Sequence, residues 1–353
     1  MRGDETELII AAIEHIFEGQ SPHHAFDDGL DTKAWQRLSE AGFALVSVPV
    51  EAGGSGGTLQ QAATILRAVS RLGLAVPLAE STWLAAWALA SAGRPVPAGP
   101  LTAALIDDAQ AELVRAGGRW RLRGVLPRVP WAADAELIVA VLAEDGPARI
   151  VLVDRESTDL RAGRNLAGEP RTDVVCRDLE IDDAQVACAA PVSATGYRAR
   201  AALSRVIALT GAAEQALALA VEQARQREQF GRPIARFQAV QQLLAQMVAE
   251  TAMLVVCGQA AADVLENGSA AEGDVAVAAA KAVASGAAGN IAAWGHQVVG
   301  AMGCTLEHPL QRSTRRLWAW RDEYGNERAH ARRVAAHALD NDPWTLVRYG
   351  AYR

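Results

Sequence analysis

The sequence predicts an α+β multidomain protein with a helical N-terminal domain (1–100), a small middle β-domain (101–192) and a C-terminal bundle of four or five helices (193–353). Two changes of hydrophobic periodicity, near Leu101 and near Tyr197, predict the boundaries. The chain of 353 residues also exceeds what a single hydrophobic core usually holds, so more than one folding unit is expected.

The first segment has the apolar spacing of amphipathic helices. Its two apolar stripes comprise Leu8, Ile9, Ala12, Ile13 and Ile16, and then Trp35, Leu38 and Ala41. The glycine cluster at 53–57 lacks the Gly-Lys-Ser/Thr ending of a phosphate-binding loop. We therefore interpret that cluster as a turn between helices.

The second segment alternates apolar and polar residues in short runs separated by Gly, Pro and Asp, as strands do. The predicted strands lie near 120–124, 137–141, 149–153 and 174–176. From Tyr197 the helical period returns. It predicts five helices at about 197–226, 237–265, 273–302, 307–321 and beyond 327.

Composition narrows the classes of function. A formal net charge of −7 makes nucleic acid an unexpected partner. Acidic residues at Asp4, Glu5 and Glu7 argue against a signal peptide, and no uninterrupted apolar run reaches the length of a membrane span. The cysteines have no metal-binding or redox spacing, which favours reduced thiols in a cytoplasmic protein. They are Cys176, Cys188, Cys257 and Cys304.

A polar and aromatic turn separates two Ala/Leu-rich helical segments, with the sequence Arg-Glu-Gln-Phe-Gly-Arg-Pro-Ile at 227–234. Gly231 permits a sharp turn, and Pro233 removes a backbone N–H. Arg227 offers a planar fork of donors that matches a diphosphate, and the helix start at Gln238 favours the same anion. These residue types suit a flat, anionic ligand; the alternative is an ordinary turn with surface polar residues.

Together with Phe237 and Gln238, this run resembles the signature R-x-Q-F-G-x-P-I-x-x-F-Q of the acyl-CoA dehydrogenase family. The order of helical, β and helical segments is similar to that family's architecture over nearly the whole chain. The resemblance implies that Arg227, Phe230, Phe237 and Gln238 hold the diphosphate and adenine end of an FAD that belongs to a neighbouring subunit.

Two further stretches resemble flavin-contacting parts of the family. The run Gln-Val-Val-Gly-Ala-Met-Gly at 297–303 is similar to Q-x-x-G-G-x-G, a turn that meets the adenosine of the partner's FAD. The resemblance assigns this contact to Gln297 and Gly300, with Ala301 in the place of the second glycine. The alternative is that Gly303 serves as a helix C-cap.

The second of these stretches, 128–132, corresponds to the strip beneath the isoalloxazine ring in the family. The resemblance implies that Val129 and Trp131 contact the flavin there. The alternative is that Trp131 is a buried aromatic residue of the β-domain, since aromatic side chains most often lie in cores.

In the family, a carboxylate removes the α-proton of an acyl-CoA thioester while the β-hydrogen leaves as hydride to the flavin, giving a trans-2-enoyl-CoA. The usual base is the Glu of a Tyr-Glu-Gly run, and Tyr324 takes that position here, followed by Gly325. A phenol with a pKa of about 10 is a poor base, so the preceding Glu323 is the candidate. The alternative is that Glu323 belongs to a solvated helix end. Ala201 occupies a second base position that some members use.

The resemblance also implies an acyl-CoA substrate, electron-transfer flavoprotein as electron acceptor, and a homodimer or homotetramer. The family's T-E-x-x-A-G-S loop is replaced by the shorter stretch 100–108. Short chains of this kind resemble one half of heteromeric acyl-CoA dehydrogenases, including ones that act on steroid side-chain thioesters.

Three hypotheses follow. The first hypothesis is that the chain is an FAD-dependent acyl-CoA dehydrogenase of fatty acid or steroid side-chain metabolism, with Glu323 as base. The second hypothesis is that the chain is a non-catalytic or half-site subunit of a heteromer with a similar chain. The third hypothesis, a flavin-free structural or CoA-binding scaffold, does not explain why the cofactor residues of the resemblance are present.

Overall fold

The computed structural model describes residues 3–19, 29–106, 110–142 and 148–341. The chain divides into two compact units, which we name the helical unit and the mixed unit. The helical unit comprises Met1–Pro22, Ala63–Leu74 and Ala202–Arg353. The mixed unit comprises His23–Ala62 and Ala75–Ala201. These units are not continuous in sequence, so the two domain boundaries predicted from the sequence stay a prediction.

The α-helices of the described chain are α1 Gly3–Ile16, α2 Thr32–Glu40, α3 Leu59–Leu72, α4 Trp87–Ser91, α5 Ala194–Gln226, α6 Gln238–Asn267, α7 Ala270–Val299, α8 Leu310–Trp320 and α9 Glu327–Asp340. A π-helix, Ala79–Ala86, runs directly into α4. The strands are β1 Leu101–Ile106, β2 Ala111–Ala116, β3 Arg119–Pro130, β4 Leu137–Leu142, β5 Ala148–Asp154, β6 Asp159–Arg161, β7 Arg171–Ile181, β8 Val186–Ala189, β9 Glu228–Gln229 and β10 Arg232–Pro233.

The mixed unit contains two four-stranded sheets, in the orders β1-β4-β5-β8 and β2-β3-β7-β6. All pairings are antiparallel except that of β1 with β4, which is parallel. One hydrophobic cluster takes side chains from both sheets, among them Ile138 and Val151 from the first and Leu122 and Val174 from the second. This shared core confirms the predicted middle β-domain as an apolar sandwich.

The π-helix was not predicted from the sequence, although it fixes the start of β1. Ser81 Oγ accepts from the backbone N–H of Leu101 at 2.9 Å and donates to the carbonyl of the same residue at 2.8 Å. The strand β1 accounts for much of the shortened stretch 100–108. Asp107 and Asp108 of that stretch lie outside the described residues.

The five predicted C-terminal helices correspond to α5–α9. The helix α7 is predicted to end near residue 302 and ends at Val299. The cause is Gly300, whose φ of 78° lies in the left-handed region that helices cannot continue through.

Small residues let helices of the helical unit approach closely. Gly211 of α5 lies against α3, where a Cβ would come within 2.2 Å of the carbonyl oxygen of Arg67. The side chain of Arg67 donates from Nε to both carboxylate oxygens of Glu214 at 3.0 Å. A close backbone approach and a bidentate ion pair therefore hold α3 on α5.

Within the part of the chain that the structure describes, three helices are long and apolar enough to cross a membrane by length and composition, namely α5, α6 and α7. In α5 and α7, 67% and 56% of the most apolar window is buried inside the protein, against 33% in α6. Packing accounts for the apolar character of α5 and α7. The absence of a membrane span, expected from the sequence, stays a prediction.

We expect Gly211→Ala to lower the free energy of unfolding by about 1–3 kcal/mol, because the added methyl overlaps the backbone of α3. The matched control is Gly286→Ala, also within a helix, where a Cβ would meet the carboxylate of Glu327, with Oε2 nearest at 3.4 Å. That control should be neutral or gain up to about 1 kcal/mol from helix propensity. Equal effects of the two substitutions in denaturant unfolding would contradict the close packing of α3 and α5.

Candidate functional site

A tight hairpin joins α5 to α6 and carries the signature residues. Strands β9 and β10 pair antiparallel with Gln229 opposite Arg232, so Phe230 and Gly231 form a two-residue connection. Both have left-handed backbones, with φ of 53° and 74°, as a type I′ turn requires. Glycine adopts this conformation readily, whereas Phe230 is held in it by the hairpin.

This hairpin presents aromatic and cationic side chains to solvent. Phe230 is 91% exposed, and its ring meets Phe237 edge-on with 6.1 Å between centroids. The guanidinium of Arg232 lies 4.4 Å from the ring centroid of Phe237. An exposed aromatic ring beside arginine side chains suits a flat ligand that carries negative charge.

Arg227 reaches the turn that ends α7. Its Nη1 donates to the carbonyl of Val299 at 3.5 Å, and a Cβ at Gly300 would lie 3.6 Å from the same nitrogen. Two regions that the sequence analysis identified separately, the signature at 227–238 and the glycine turn at 297–303, therefore lie in contact. We name Arg227, Phe230, Phe237 and Gly300 the cradle.

The remaining residues predicted at this end are Gln238, Gln297 and Ala301. Gln238 begins α6, Gln297 lies in the last turn of α7, and Ala301 opens a short 3₁₀ turn. All three are exposed. They are positioned near the cradle residues in sequence, and their part in ligand contact stays a prediction.

Gly303 does not cap α7. Gly300 occupies the C-cap position, so the alternative role predicted for Gly303 is wrong. Gly303 is buried, and a Cβ there would lie 3.0 Å from Leu310 Cδ2 and 3.1 Å from Val299 Cγ1. Its glycine is explained by the packing of the turn on α8.

Val129 and Trp131 belong to the mixed unit. Val129 pairs with Thr172 of β7, next to a register shift in β3. Trp131 follows the strand with a φ of 57° and accepts backbone hydrogen bonds from Asp134 and Ala135. Both side chains are buried, which is the packing expected of a core aromatic residue. Contact with a flavin at this position stays a prediction.

A second cluster of the helical unit surrounds the loop between α8 and α9, residues 321–325. Glu323 Oε2 accepts from Arg205 Nε at 2.7 Å, with side chains 14% and 4% exposed. The pair is thus shielded from water, and breaking it would leave a buried, uncompensated charge. Glu323 therefore does not belong to a solvated helix end, which was the alternative from the sequence.

Tyr324 is fixed by both its ring and its backbone. Its φ is 55°, and the Arg205 guanidinium lies 5.4 Å from the ring centroid. His330 Nε2 donates to the Tyr324 carbonyl at 2.9 Å, and burial lowers the pKa of His330. A Cβ at Gly325 would lie 2.7 Å from His330 Nε2, so only glycine permits this contact.

Lys281 of α7 lies beneath the same loop and is fully buried. Its Nζ donates to the carbonyls of Arg321 and Gly325, each at 2.7 Å, and to Ser285 Oγ at 3.0 Å. Burial lowers the pKa of Lys281 to about 7, and the nearby carboxylate of Glu323 opposes that shift.

The sequence analysis did not identify Lys281 as a candidate residue. A signal was present: the buried face of α7 carries Val277, Ala284 and Ala288, and Lys281 falls on that face at helical spacing. A lysine inside an apolar stripe requires internal acceptors. The partner of Glu323 was missed for a different reason, since α5 and the 321–325 loop are distant in sequence.

Within the described residues, no group of three or more His, Cys, Asp or Glu side chains could hold a metal ion.

Comparison with known families gives two matches. Residues 4–96 match the acyl-CoA dehydrogenase N-terminal domain, and residues 198–339 match the acyl-CoA dehydrogenase C-terminal domain. Together they cover most of the chain.

Among curated relatives, acyl-CoA dehydrogenase FadE27 of Mycobacterium tuberculosis is 30% identical over 329 residues, covering 84% of this chain and 85% of that protein. Acyl-CoA dehydrogenase IpdE2 of the same organism is 30% identical over 294 residues, covering 81% and 80%.

The fold resembles the crystal structure of the ChsE4-ChsE5 complex from Mycobacterium tuberculosis, with a TM-score of 0.87, 24% identity, and coverage of 97% of this chain and 99% of that chain. Butyryl-CoA dehydrogenase from Megasphaera elsdenii has a TM-score of 0.84 at 18% identity, with coverage of 96% and 99%. At these identities the likeness establishes the fold and confirms the predicted helical, β and helical architecture.

Lys281 should make stability depend on pH in a defined window. Its pKa is lower in the folded state, about 7, than in the unfolded chain, about 10.4, so between these values the unfolded state binds more protons. The unfolding free energy of the wild type should therefore rise relative to Lys281→Met by about 1.4 kcal/mol per pH unit between pH 7 and about 10.4, and the difference should be flat below pH 7.

The chain contains two lysines, Lys33 and Lys281, so ¹³Cε-lysine labelling gives two NMR signals to follow directly. Lys33→Arg assigns them. A Lys281 signal that titrates only near pH 10 would contradict the lowered pKa.

Proposed function

Because the chain belongs to the acyl-CoA dehydrogenase family, we propose that it serves as the FAD-holding, half-site subunit of a heteromeric acyl-CoA dehydrogenase. The assembly would convert an acyl-CoA thioester to a trans-2-enoyl-CoA. The single observation that carries the half-site assignment is the buried ion pair between Arg205 and Glu323.

The described residues fit the diphosphate and adenine end of FAD. Arg227 supplies a planar donor fork at the exposed end of α5, and Phe230 supplies an exposed aromatic surface. Gly300 keeps the facing turn free of a side chain next to Arg227 Nη1. When bound, FAD would supply the acceptor for the hydride that leaves the β-carbon of the thioester.

Removal of the α-proton needs a carboxylate that can reach the substrate and bind a proton. Glu323 is the nearest carboxylate in sequence to the family position, yet its Oε2 is engaged by Arg205 at 2.7 Å. Tyr324 stands at the family position itself, and its ring lies against the same guanidinium. Arg205 thereby withholds the one carboxylate candidate, so the base is proposed to come from the partner chain.

A second candidate is catalysis within this chain with Glu323 as base. Its position on the loop that carries the base in the family favours this candidate. It requires Glu323 to leave Arg205. The buried guanidinium would then lack a counter-charge, which costs free energy.

Assembly with another chain is supported by the surface of α6. Val248, Ala252 and Val256 are exposed and spaced by four residues, so they share one face of the helix. An exposed apolar stripe of this kind marks an interaction surface. The ChsE4-ChsE5 complex has the same fold, so the fold is compatible with assembly from two kinds of chain.

We further propose a cytoplasmic location and electron-transfer flavoprotein as the electron acceptor. All four cysteines are free, as in reducing compartments. The acceptor is inferred from the family. The class of substrate is a fatty acyl or steroid side-chain thioester of CoA, in keeping with the same inference.

We expect Arg227→Ala to weaken FAD binding by roughly tenfold or more, because a charge-assisted contact to the diphosphate is lost. The measurement is flavin absorbance per protomer after dialysis against a series of FAD concentrations. Arg225→Ala removes an exposed arginine in the last turn of α5, two residues before Arg227; it is the matched control and should bind FAD as the wild type does. Equal affinity of the two variants would exclude the diphosphate contact.

We expect Glu323→Gln to leave the turnover per bound flavin of the purified assembly unchanged within about twofold, because the partner supplies the base; loss of the counter-charge of Arg205 should appear as lower stability instead. If Glu323 were the base, turnover would fall by a factor of roughly 10² or more. Asp322→Asn is the control for a neighbouring change of charge. Affinity purification from the source cells should also yield a second acyl-CoA dehydrogenase chain with a Glu in its own loop. A homogeneous, fully active homo-oligomer would refute the half-site assignment.

A further inference from the structure

Lys281 is a buried charged group that the proposed chemistry does not use. It lies on a face of α7 that is otherwise apolar, and its only described acceptors are Ser285 and the two ends of the 321–325 loop. A buried lysine costs free energy unless its donors are satisfied. Here Ser285 Oγ and two loop carbonyls satisfy those donors, so Lys281 is bound to the groups that carry them.

The two carbonyls that Lys281 binds have a particular place in the fold. Arg321 is the C-cap of α8, and its carbonyl is one of those that a helix end leaves without an intrahelical partner. Gly325 directly precedes the N-cap of α9, Asn326. One Nζ thus ties the end of one helix and the approach to the next to the same point on α7, with a cation placed favourably at a helix C-terminus.

The hydrogen-bond pattern serves both protonation states of Lys281. As an ammonium, Nζ donates to both carbonyls and to Ser285 Oγ, while Ser285 donates to the Arg321 carbonyl at 2.8 Å. As a neutral amine, Nζ still has two hydrogens for the two carbonyls, and the Ser285 hydroxyl can turn to donate to its lone pair. Both ends of the loop therefore stay bound on either side of neutral pH.

The charged groups around Lys281 come from three neighbouring elements. Asp322 and Glu323 of the loop favour the ammonium, whereas Arg205 of α5 opposes it. Lys281 in turn lowers the pKa of His330 on α9. Lys281 is therefore electrostatically coupled to the loop carboxylates as well as hydrogen-bonded to the loop backbone.

We propose that Lys281 is a positioning residue that clamps the 321–325 loop at both ends and so holds Glu323 on Arg205. The clamp acts through the loop backbone: with Arg321 and Gly325 fixed, the intervening residues span a set path, and Tyr324 is driven into its left-handed conformation. The inference rests on the proposed function, because it explains how this chain keeps a carboxylate at the family's base-bearing loop out of the chemistry.

The test is carboxyl labelling of the flavin-loaded protein with a water-soluble carbodiimide and glycinamide near pH 6, read by peptide mass spectrometry. Asp322, whose side chain is 58% exposed, is an internal reference in the same peptide as Glu323, whose side chain is 14% exposed. In the wild type, Asp322 should be modified and Glu323 protected.

In Lys281→Met, a substitution that keeps an unbranched apolar chain and removes the donors, Glu323 should be modified about tenfold faster with Asp322 unchanged, because buried hydrogen bonds at both loop ends are lost. Ser285→Ala is the control, since both bonds from Nζ to the carbonyls remain; it should protect Glu323 as the wild type does. Unchanged protection of Glu323 in a folded, flavin-containing Lys281→Met protein would overturn the proposal. Faster labelling of every buried carboxylate would also overturn it, because that is the result of general loosening.

A second measurement leaves Lys281 in place and so does not depend on how well Lys281→Met folds. Glu323→Gln removes a charge that favours the ammonium, so the NMR titration midpoint of Lys281 should shift to lower pH. A midpoint that does not move would overturn the coupling of Lys281 to the loop. Neither labelling nor titration depends on catalysis, so failure of the clamp and failure of the half-site function give separate results.

Discussion

The buried guanidinium of Arg205 is the constraint on which the loop cluster depends. A buried cation needs a counter-charge and acceptors, and Glu323 supplies both at 2.7 Å. While Glu323 pairs with Arg205, the ring of the neighbouring Tyr324 packs against the same guanidinium. The carbonyl groups of the loop backbone then require hydrogen-bond donors from other elements. Lys281 and His330 provide these donors. The arrangement fixes a loop that, in a catalytic member of the family, would present a carboxylate to the substrate.

The cradle differs from the loop cluster, and we propose that it contacts a bound cofactor. The hairpin between α5 and α6 exposes Phe230 almost completely. An apolar ring in water is unfavourable, and at this position the ring does not contribute to the packing of the core. Gly300 and Arg227 approach each other without an intervening side chain. Exposure and cation density together explain why this region is assigned to a cofactor, whereas the loop cluster, buried and internally paired, is assigned to structure.

The sequence was informative where the physics is local. Helical periodicity located α5–α9 within a few residues, and the turn chemistry of Gly231 and Pro233 marked the hairpin. What could not be predicted depends on distant contacts: the pairing of Arg205 with Glu323, the placement of Lys281 under the loop, and the π-helix that anchors β1. Spacing along a chain carries no information on which buried charge meets which. The wrong prediction for Gly303 has the same origin, since its glycine is required by packing on α8.

The most direct measurement is the visible absorption spectrum of this chain purified alone and loaded with FAD, recorded anaerobically before and after addition of a panel of acyl-CoA thioesters. Dithionite at the end shows that the flavin can be reduced. If Arg205 withholds Glu323, the flavin band persists with every thioester and bleaches only with dithionite. Bleaching by any acyl-CoA in the absence of a second kind of chain would contradict the half-site function, and Glu323 would then have to be the base.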